Sequence, residues 1–556
     1  MSDEGLQEEW RREYQKLYGD RECSLSSASG IPLKPVYTPE DTAGQDPRDI
    51  GMPGVFPYTR GTFPLLYQLS PWTTQQGLGY GLPEHTRERF DLLYREGLQA
   101  GQGMVPQFFI VPDAVCQPGY DPDHPAARGQ VGVCGTSWCS VRDMEILFRD
   151  LPLDQIGVVF ATYDSSVAAL AMYVAAAERL GFQPKQLRGH TVNNIYRQTC
   201  WDLPSFPPES ALKVCAEFIK YTSRNIPRWS PISFQGYGYQ EAGANAVQEL
   251  AFMLAPAIAV TESCIQGGLS PDDFVSRYGF HIALDDDFFE SVAKSRALRR
   301  MWAKLAAERF GCREARSLKA IIQAETAGSS LTAQQPLNNV IRAALQTLAG
   351  VMGGATSIWT THYDEGLGLP TEEAAVLCLR TQQIIYHETG VPQVTDPLGG
   401  GYYIEWLTDR LEGEANRLLT EIEQRGFISC WRSGWFRREL ERTAYQERQR
   451  LDQGERVKVG VNRYTSETPV QVPTFRVDPE VEKVAAARVK SYREERDQGR
   501  AQASLREMRE VAERVHRDFP SGGDLMPAVV EAARAEATLG EIMGVLKEVF
   551  GWGYVY

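Results

Sequence analysis

Seven side chains able to do acid–base or hydrogen-bonding chemistry stand at or beside the ends of short apolar runs in this 556-residue chain. Asp113 closes "MVPQFFIVPD" and Asp164 closes "IGVVFATYD". His190 and Asn193 lie in "LRGHTVNN", Gln235 and Tyr237 in "PISFQGYGYQEAG", and Glu325 in "LKAIIQAET". Together they offer acceptors and a titratable imidazole. Buried acceptors need donors, so the set suits a small ligand carrying several hydroxyls or an amine. His190 or Asp164 can act as acid or base if the reaction is an elimination. The plainer alternative is an inward-facing hydrogen-bond network that only fills an interior, and a single His is more often a satisfied core residue than a catalyst.

What must position these residues is a repeating pattern. Between about residues 85 and 400 such runs, "ATSIWTTHYDE" among them, alternate with amphipathic helical stretches. Repeated strand–helix units imply a parallel sheet. Six or more of them in ~300 residues favour closure into a (β/α)₈ TIM barrel, whose catalytic groups sit at the C-terminal ends of the strands. The fold class is therefore α/β, with an N-terminal arm and a C-terminal helical extension. Residues 1–62 read as a helix and an extended arm, 63–400 as the barrel, and 401–556 as a helical linker and docking region. The first helix carries Leu6, Trp10, Tyr14 and Leu17 at near-helical spacing. It either packs on the chain's own body or docks on a partner. The arm, rich in Pro, Gly and Asp, begins at Cys23. Near the end, "RAEATLGEIMGVLKEVFG" reads as a docking helix.

Bulk properties narrow the function. A net charge of −14 with no Lys/Arg-rich run excludes a nucleic-acid groove. Ten cysteines without a Cys-x-x-Cys pair read as reduced, mostly buried thiols. No run approaches the roughly 18 apolar residues of a membrane span, and no leader pattern opens the chain, which predicts a cytoplasmic protein.

Several stretches resemble the methylmalonyl-CoA mutase family: "YTRGTFPLLYQLSPWTTQQ", "GYDPDHP", "GYGYQEAGANAVQELAFMLA", "SRALRRMWAKL", "TAGSSLTAQQPLNNVIRAALQTLAGVMGG", "YDEGLGLPTEEA", "DPLGGGYYIE" and "VGVNRY". They run in family order from about residue 55 to 465. The resemblance implies a barrel that binds substrate along its axis, with adenosylcobalamin across the strand C-termini beneath a flavodoxin-like domain. That domain carries Asp-x-His-x-x-Gly, whose His binds cobalt, and none of the seven histidines here stands in that motif. The expectation is a separate small cobalamin-binding subunit, in a hetero-oligomer, that supplies the metal ligand. On the cofactor side, Glu365 matches the Glu that holds the adenosyl ribose, and Glu241 and Gly328 match positions at the corrin face. Gly77, Gln117 and Thr361 complete the set expected to face the cofactor.

On the substrate side the resemblance breaks down. A wedging Tyr of the family is Gly77, the His after Gly-Tyr is Gly238, an Arg that pairs with the substrate carboxylate is Trp201, and a Gln is Val192. Tyr237 remains. A methylmalonyl carboxylate would lose its bidentate partner. The small side chains that line the family's CoA tunnel are replaced by Phe109, Val159, Ala161, His190 and Gln235. CoA-gripping Arg positions are Ser70 and Gln75, and only Arg296 keeps its charge. The reading is the large subunit of an adenosylcobalamin-dependent mutase acting on a small polar substrate without CoA. Asp113, Asn193, Trp201, Gln235 and Glu325 would bind that substrate, with Tyr237, His190 and Asp164 at the chemistry. Two alternatives stay open: an acyl-CoA mutase with an atypical apolar acyl group, and a non-catalytic scaffold for a cobalamin-binding partner.

Overall fold

The computed structural model describes residues 3–19, 25–98, 106–468 and 471–554. Eight parallel strands form its centre. Strand β1 runs Thr73–Gln75 and resumes as Gly77–Leu78. It is followed by β2 Gln107–Ile110, β3 Gly157–Phe160 and β4 Arg188–Thr191. Strand β5 is again split, Arg228–Ser230 and Ser233–Gln235. Then come β6 Gly279–Leu284, β7 Ile321–Thr326 and β8 Ser357–Trp359. The two split strands join two arcs into a ring: one half of β1 pairs with β8 and the other with β2, while one half of β5 pairs with β4 and the other with β6. Every pairing is parallel, so the ring is the closed (β/α)₈ barrel that the sequence predicts.

Chain order supplies a helix after each strand. An N-terminal helix α1, Asp3–Tyr18, precedes the barrel. The barrel helices are α2 Pro83–Arg95, α3 Val141–Phe148, α4 Ser166–Arg179, α5 Pro208–Asn225, α6 Ala246–Gln266, α7 Phe288–Lys304, α8 Asn338–Met352 and α9 Glu372–Glu388. Helix α6 is long and apolar enough to cross a membrane by composition, but 83% of that window is buried inside the protein. Eight of the nine described cysteines are buried, as expected.

Beyond the barrel lie α10 Tyr402–Arg425, α11 Trp435–Asp452, α12 Glu480–Glu495, α13 Gln498–Asp518, α14 Leu525–Arg534 and α15 Leu539–Phe550. The docking role expected of the last helix is corrected here. Leu539, Ile542, Met543 and Leu546 are fully buried against this chain's own body. The buried Asp121, in the long segment after β2, accepts hydrogen bonds from Thr538 Oγ1 (2.6 Å) and the Gly540 N–H (2.8 Å), which pins the start of α15. Helix α4 is apolar on nearly every side because α14 and α15 cover the face that solvent would otherwise wet.

At the other end, Trp10 and Leu17 are exposed, so α1 does not bury them against the body. The side chain of Leu6, and Cys23 in the arm, lie outside the described residues. The arm itself grips the barrel: Ser29 Oγ donates to Glu290 at 2.8 Å and Thr62 Oγ1 to the Ala320 carbonyl at 3.2 Å.

Arg296 is fully buried and paired with Asp396 at 2.6 Å and with Glu405. Its charge ties α7 to the segment before α10, and the CoA contact expected for it is corrected accordingly.

Candidate functional site

Strand side chains alternate between two separate apolar cores. Phe108, Ile110, Val158 and Phe160 point outward into the shell under the helices. Phe109, Val159 and Val192 point inward and cluster with Trp359 on the barrel axis. Register sets Gly77, Phe109, Val159, His190 and Ser230 on one rung around the ring. The Trp359 ring lies 5.1 Å from that of Phe109, and a Cβ on Gly77 would collide with its indole. Glycine is thus what lets β8 place a tryptophan across β1.

Below this apolar layer the interior is spanned by amides. Gln75 Nε2 donates to Gln107 Oε1 at 2.7 Å. Gln323 Oε1 accepts from Ser233 Oγ at 2.8 Å, which leaves its N–H to meet His190 Nδ1 at 2.9 Å. His190 therefore carries its proton on Nε2, which has no hydrogen-bond partner among the described residues. Burial pushes this imidazole down to about 3, so it is neutral at physiological pH. A cavity of about 460 Å³ opens at the N-terminal end of the strands, and Gln107, His190 and Gln323 stand in its wall together with Arg188 and Arg277.

At the C-terminal end a second polar group gathers. His281 Nδ1 is 3.0 Å from Gln235 Oε1 and its Nε2 is 3.0 Å from Glu325 Oε2. The Tyr237 ring stacks on His281 at 5.2 Å and 9°. Burial pushes Glu325 upward, against the lowering effect of the neighbouring His281. Gln235, Tyr237 and Glu325 are thus brought together around His281. His281, Gln323 and Trp359 belong to the same interior and were not singled out from sequence. A histidine inside the apolar run "GFHIAL" is the signal that was there to find.

Other expected substrate contacts are engaged elsewhere. Both carboxylate oxygens of Asp113 are taken by backbone N–H groups, of Val115 and Cys116 on one side and Gly132 on the other, at 2.8–3.1 Å. It folds the loop after β2 and does not reach the axis. Asn193 adopts φ +49°, and its amide donates to the Pro231 carbonyl at 3.2 Å and leans on Cys215 of α5. Asp164 accepts from Ser205 Oγ beside α15, its other oxygen having no partner among the described residues, and burial pushes it up to about 6. Trp201 faces Gly238, where a Cβ would sit 3.0 Å from its Cη2.

The residues expected at the cofactor stand at or beyond the strand C-termini. Glu365, half-exposed, meets His362 Nδ1 at 2.8 Å. Glu241 accepts from the Ser329 N–H at 2.9 Å and its hydroxyl at 3.0 Å, and burial raises it to about 7. Gly328 is a cradle in which a Cβ would press on Glu241 Oε2 (3.3 Å) and Tyr237 Oη (3.4 Å). Thr361 bonds the Thr326 backbone carbonyl and hydroxyl at 2.7 Å, and Gln117 accepts from Arg197 at 3.2 Å. An accessible carboxylate for sugar hydroxyls beside a glycine-floored surface fits a nucleoside-bearing group.

A closed parallel barrel with polar groups gathered at its strand C-termini is the framework of a barrel enzyme. The chain belongs to the methylmalonyl-CoA mutase family, whose profile matches residues 26–552. It is 36% identical to the 2-hydroxyisobutanoyl-CoA mutase large subunit of Aquincola tertiaricarbonis over 96% of this chain and 93% of that one. It is 37% identical to the methylmalonyl-CoA mutase of Cereibacter sphaeroides over 98% of this chain and 75% of that one. Against the human mitochondrial methylmalonyl-CoA mutase the identity is 35%, over 94% and 68%. The protein is accordingly an isomerase, an intramolecular transferase, and the family's cofactor is adenosylcobalamin.

Proposed function

We propose that this chain is the large subunit of an adenosylcobalamin-dependent mutase whose substrate is a small polar molecule not carried on CoA. The observation that supports this is the occupied axis: the His190–Gln323 hydrogen bond and the Phe109–Trp359 pair stand where a pantetheine chain would thread. Interiors packed this way leave no room for a linear chain. Glu365, Glu241, Gly328, Gln117 and Thr361 would face the cofactor, which when bound supplies hydrogen-abstracting radical chemistry, whereas Gly77, expected with them, is covered by the Trp359 indole. Gln235, Tyr237 and Glu325 would hold the substrate's hydroxyl or amino groups, and His190 would offer its Nε2–H. The cobalt ligand would come from a small cytoplasmic partner carrying Asp-x-His-x-x-Gly, in keeping with a relative that is named a large subunit.

A second reading has its own support. Arg188 and Arg277 line the N-terminal cavity, and such cations suit the phosphates of an acyl-CoA. The test is reconstitution of the chain with adenosylcobalamin and such a small subunit, followed by addition of free hydroxy and amino acids on one side and of 2-hydroxyisobutanoyl-CoA and methylmalonyl-CoA on the other. A cob(II)alamin radical signal with the free acids alone is expected. A signal with the thioesters alone replaces this reading by the acyl-CoA one, and no signal with any compound favours the scaffold.

A further inference from the structure

Six arginines are buried among the described residues, and five of them find their counterpart inside the protein. Arg89, Arg296, Arg300 and Arg496 each meet a carboxylate, and Arg299 donates to three backbone carbonyls at 2.6–2.9 Å. Arg197 is the exception. It is 5% exposed, pairs with no carboxylate among the described residues, and its guanidinium makes one hydrogen bond, to Gln117 Oε1 at 3.2 Å. Its Nε is buried with no partner among the described residues. A guanidinium stays charged at any physiological pH, so it cannot escape the cost of burial by losing its proton. A buried charge without a counter-ion is a loss of stability that an apolar side chain in its place would relieve. What compensates it has to come from outside the chain.

The surroundings put this cation at the C-terminal mouth. Arg197 lies in the segment after β4, and its guanidinium sits 4.6 Å over the ring of Tyr163, in the segment after β3. Gln117 comes from the segment after β2. Tyr163 in turn packs against the axial cluster of Phe109, Val159 and Val192, so the cation lies on the C-terminal side of the layer that closes the axis. Two opposite charges bear on Tyr163, that of Arg197 and that of Glu325. Asp164 also feels the guanidinium, but it gives one oxygen to Ser205 Oγ and burial pushes it up to about 6. Asn194, on the same segment as Arg197, has both atoms of its amide buried without a partner among the described residues.

We propose that Arg197 is the carboxylate anchor of this barrel: the substrate is a free acid whose carboxylate docks on the guanidinium, with its hydroxyl or amino group turned towards Glu325 across Tyr163. This rests on the reading that the substrate is a small polar molecule not carried on CoA, and it names the charge which that molecule carries. A carboxylate meets a guanidinium through parallel N–H donors, the strongest polar recognition open to it. A thioester has no charge at the same carbon, so the site discriminates against it by leaving the buried cation unpaired. Gln117 is a positioning residue, because its carbonyl oxygen holds the guanidinium over Tyr163.

The anchor can be read on the full chain without cofactor. Arg197→Met keeps bulk over Tyr163 and removes the charge, and its thermal unfolding midpoint is expected above the parent's. Acetate and 2-hydroxyisobutanoate should raise the parent's midpoint relative to chloride at equal ionic strength, while the uncharged 2-hydroxyisobutanamide should not. Arg197→Met should not respond to the acids. A midpoint of Arg197→Met below the parent's makes the guanidinium structural and overturns the proposal. So does a parent that ignores the acids, or an equal response in both proteins. In the reconstituted holoenzyme, on the free acid that gives the radical signal, Arg197→Met should raise KM about 10–100-fold, and Arg197→Lys should recover part of the loss. Both kcat and the affinity for adenosylcobalamin should stay within a few-fold. Weakened adenosylcobalamin binding at unchanged KM assigns the cation to the cofactor and overturns the anchor. If thioesters alone give the signal, the small-acid reading fails, whereas the acid-dependent shift of the unfolding midpoint still decides whether Arg197 holds a carboxylate.

Discussion

Trp359 lies across Gly77 inside the barrel, so that β8 fills with an indole the room that β1 leaves by having no side chain. The two positions act as one unit. Gly77→Ala forces the indole off its place and should cost about 1–3 kcal/mol, the usual penalty for overfilling a packed interior. Trp359→Ala should cost about 3–5 kcal/mol through the cavity it leaves. The double variant should be less destabilised than the sum of the singles, which urea unfolding of all four proteins measures. Additive losses would mean that the two residues do not share the space.

Gly238 and Trp201 repeat the relationship less tightly, with 3.0 Å between a would-be Cβ and the ring. Gly238→His should therefore be poorly tolerated alone and recovered in part by Trp201→Ala, read as the midpoint of thermal unfolding. Recovery would show that the tryptophan occupies the volume a histidine at 238 needs.

The barrel was legible because six of its eight strands lie in short apolar or β-branched runs followed by helices. The two that were not recognised fail for local reasons. Strand β1 is cut between Gln75 and Gly77, so no run of useful length forms. Strand β6, GFHIAL, carries His281 in an apolar string, and the same residue stands 3.0 Å from both Gln235 Oε1 and Glu325 Oε2. Side-chain direction was the least legible quantity. Asn193 follows an inward-facing strand, but its positive φ turns the amide outward to Pro231. Asp113 sits at a strand end, as a catalytic carboxylate would, yet three backbone N–H groups already satisfy it. Neither a dihedral nor a loop closing back over a carboxylate is encoded in residue type.

Asp164 gives a stability prediction with a definite sign. Burial raises its folded-state value to about 6, above the 3.8 of an unperturbed Asp. The fold favours the protonated acid, so its contribution is present at low pH and is lost as pH rises through about 6. Asp164→Asn keeps an oxygen for the Ser205 hydroxyl and removes the ionisation. Relative to the parent, the variant should be more stable at about pH 8 by roughly 3 kcal/mol and nearly equal at about pH 4, by the 1.36 kcal/mol per unit relation. Urea denaturation at the two pH values tests it, and an equal difference at both would show that the carboxyl is not held protonated.

His190 works in the opposite sense. Burial depresses it to about 3, below the 6.5 of a free imidazole. The neutral form belongs to the fold, and stability is lost as pH falls below about 6.5 because only the unfolded chain takes up the proton. Asn at this position places an oxygen near the Nδ1 site and can keep the hydrogen bond from Gln323 without titrating. Between about pH 6 and 4, His190→Asn should lose stability less steeply than the parent by up to roughly 1.4 kcal/mol per pH unit. Parallel slopes would place the proton uptake on other groups.

Arg296 separates a structural charge from a ligand contact. Its guanidinium is buried between Asp396 and Glu405, and Arg60 reaches Asp396 from the arm at 2.8 Å. Arg296→Met leaves two buried carboxylates with one remaining cation on only one of them. Breaking a buried pair from one side costs about 3–5 kcal/mol, and the loss should appear in urea unfolding. Restoring neutrality with Glu405→Gln in the same chain should return part of it, since the second uncompensated charge is then gone. A residue that instead gripped a phosphate would leave stability unaltered when replaced and weaken binding of CoA to the intact chain. Calorimetric titration with CoA, performed on Arg296→Lys to preserve the charge, distinguishes the two: unchanged heat together with reduced stability is the expected outcome, because the lysine cannot reproduce the two-sided guanidinium contact.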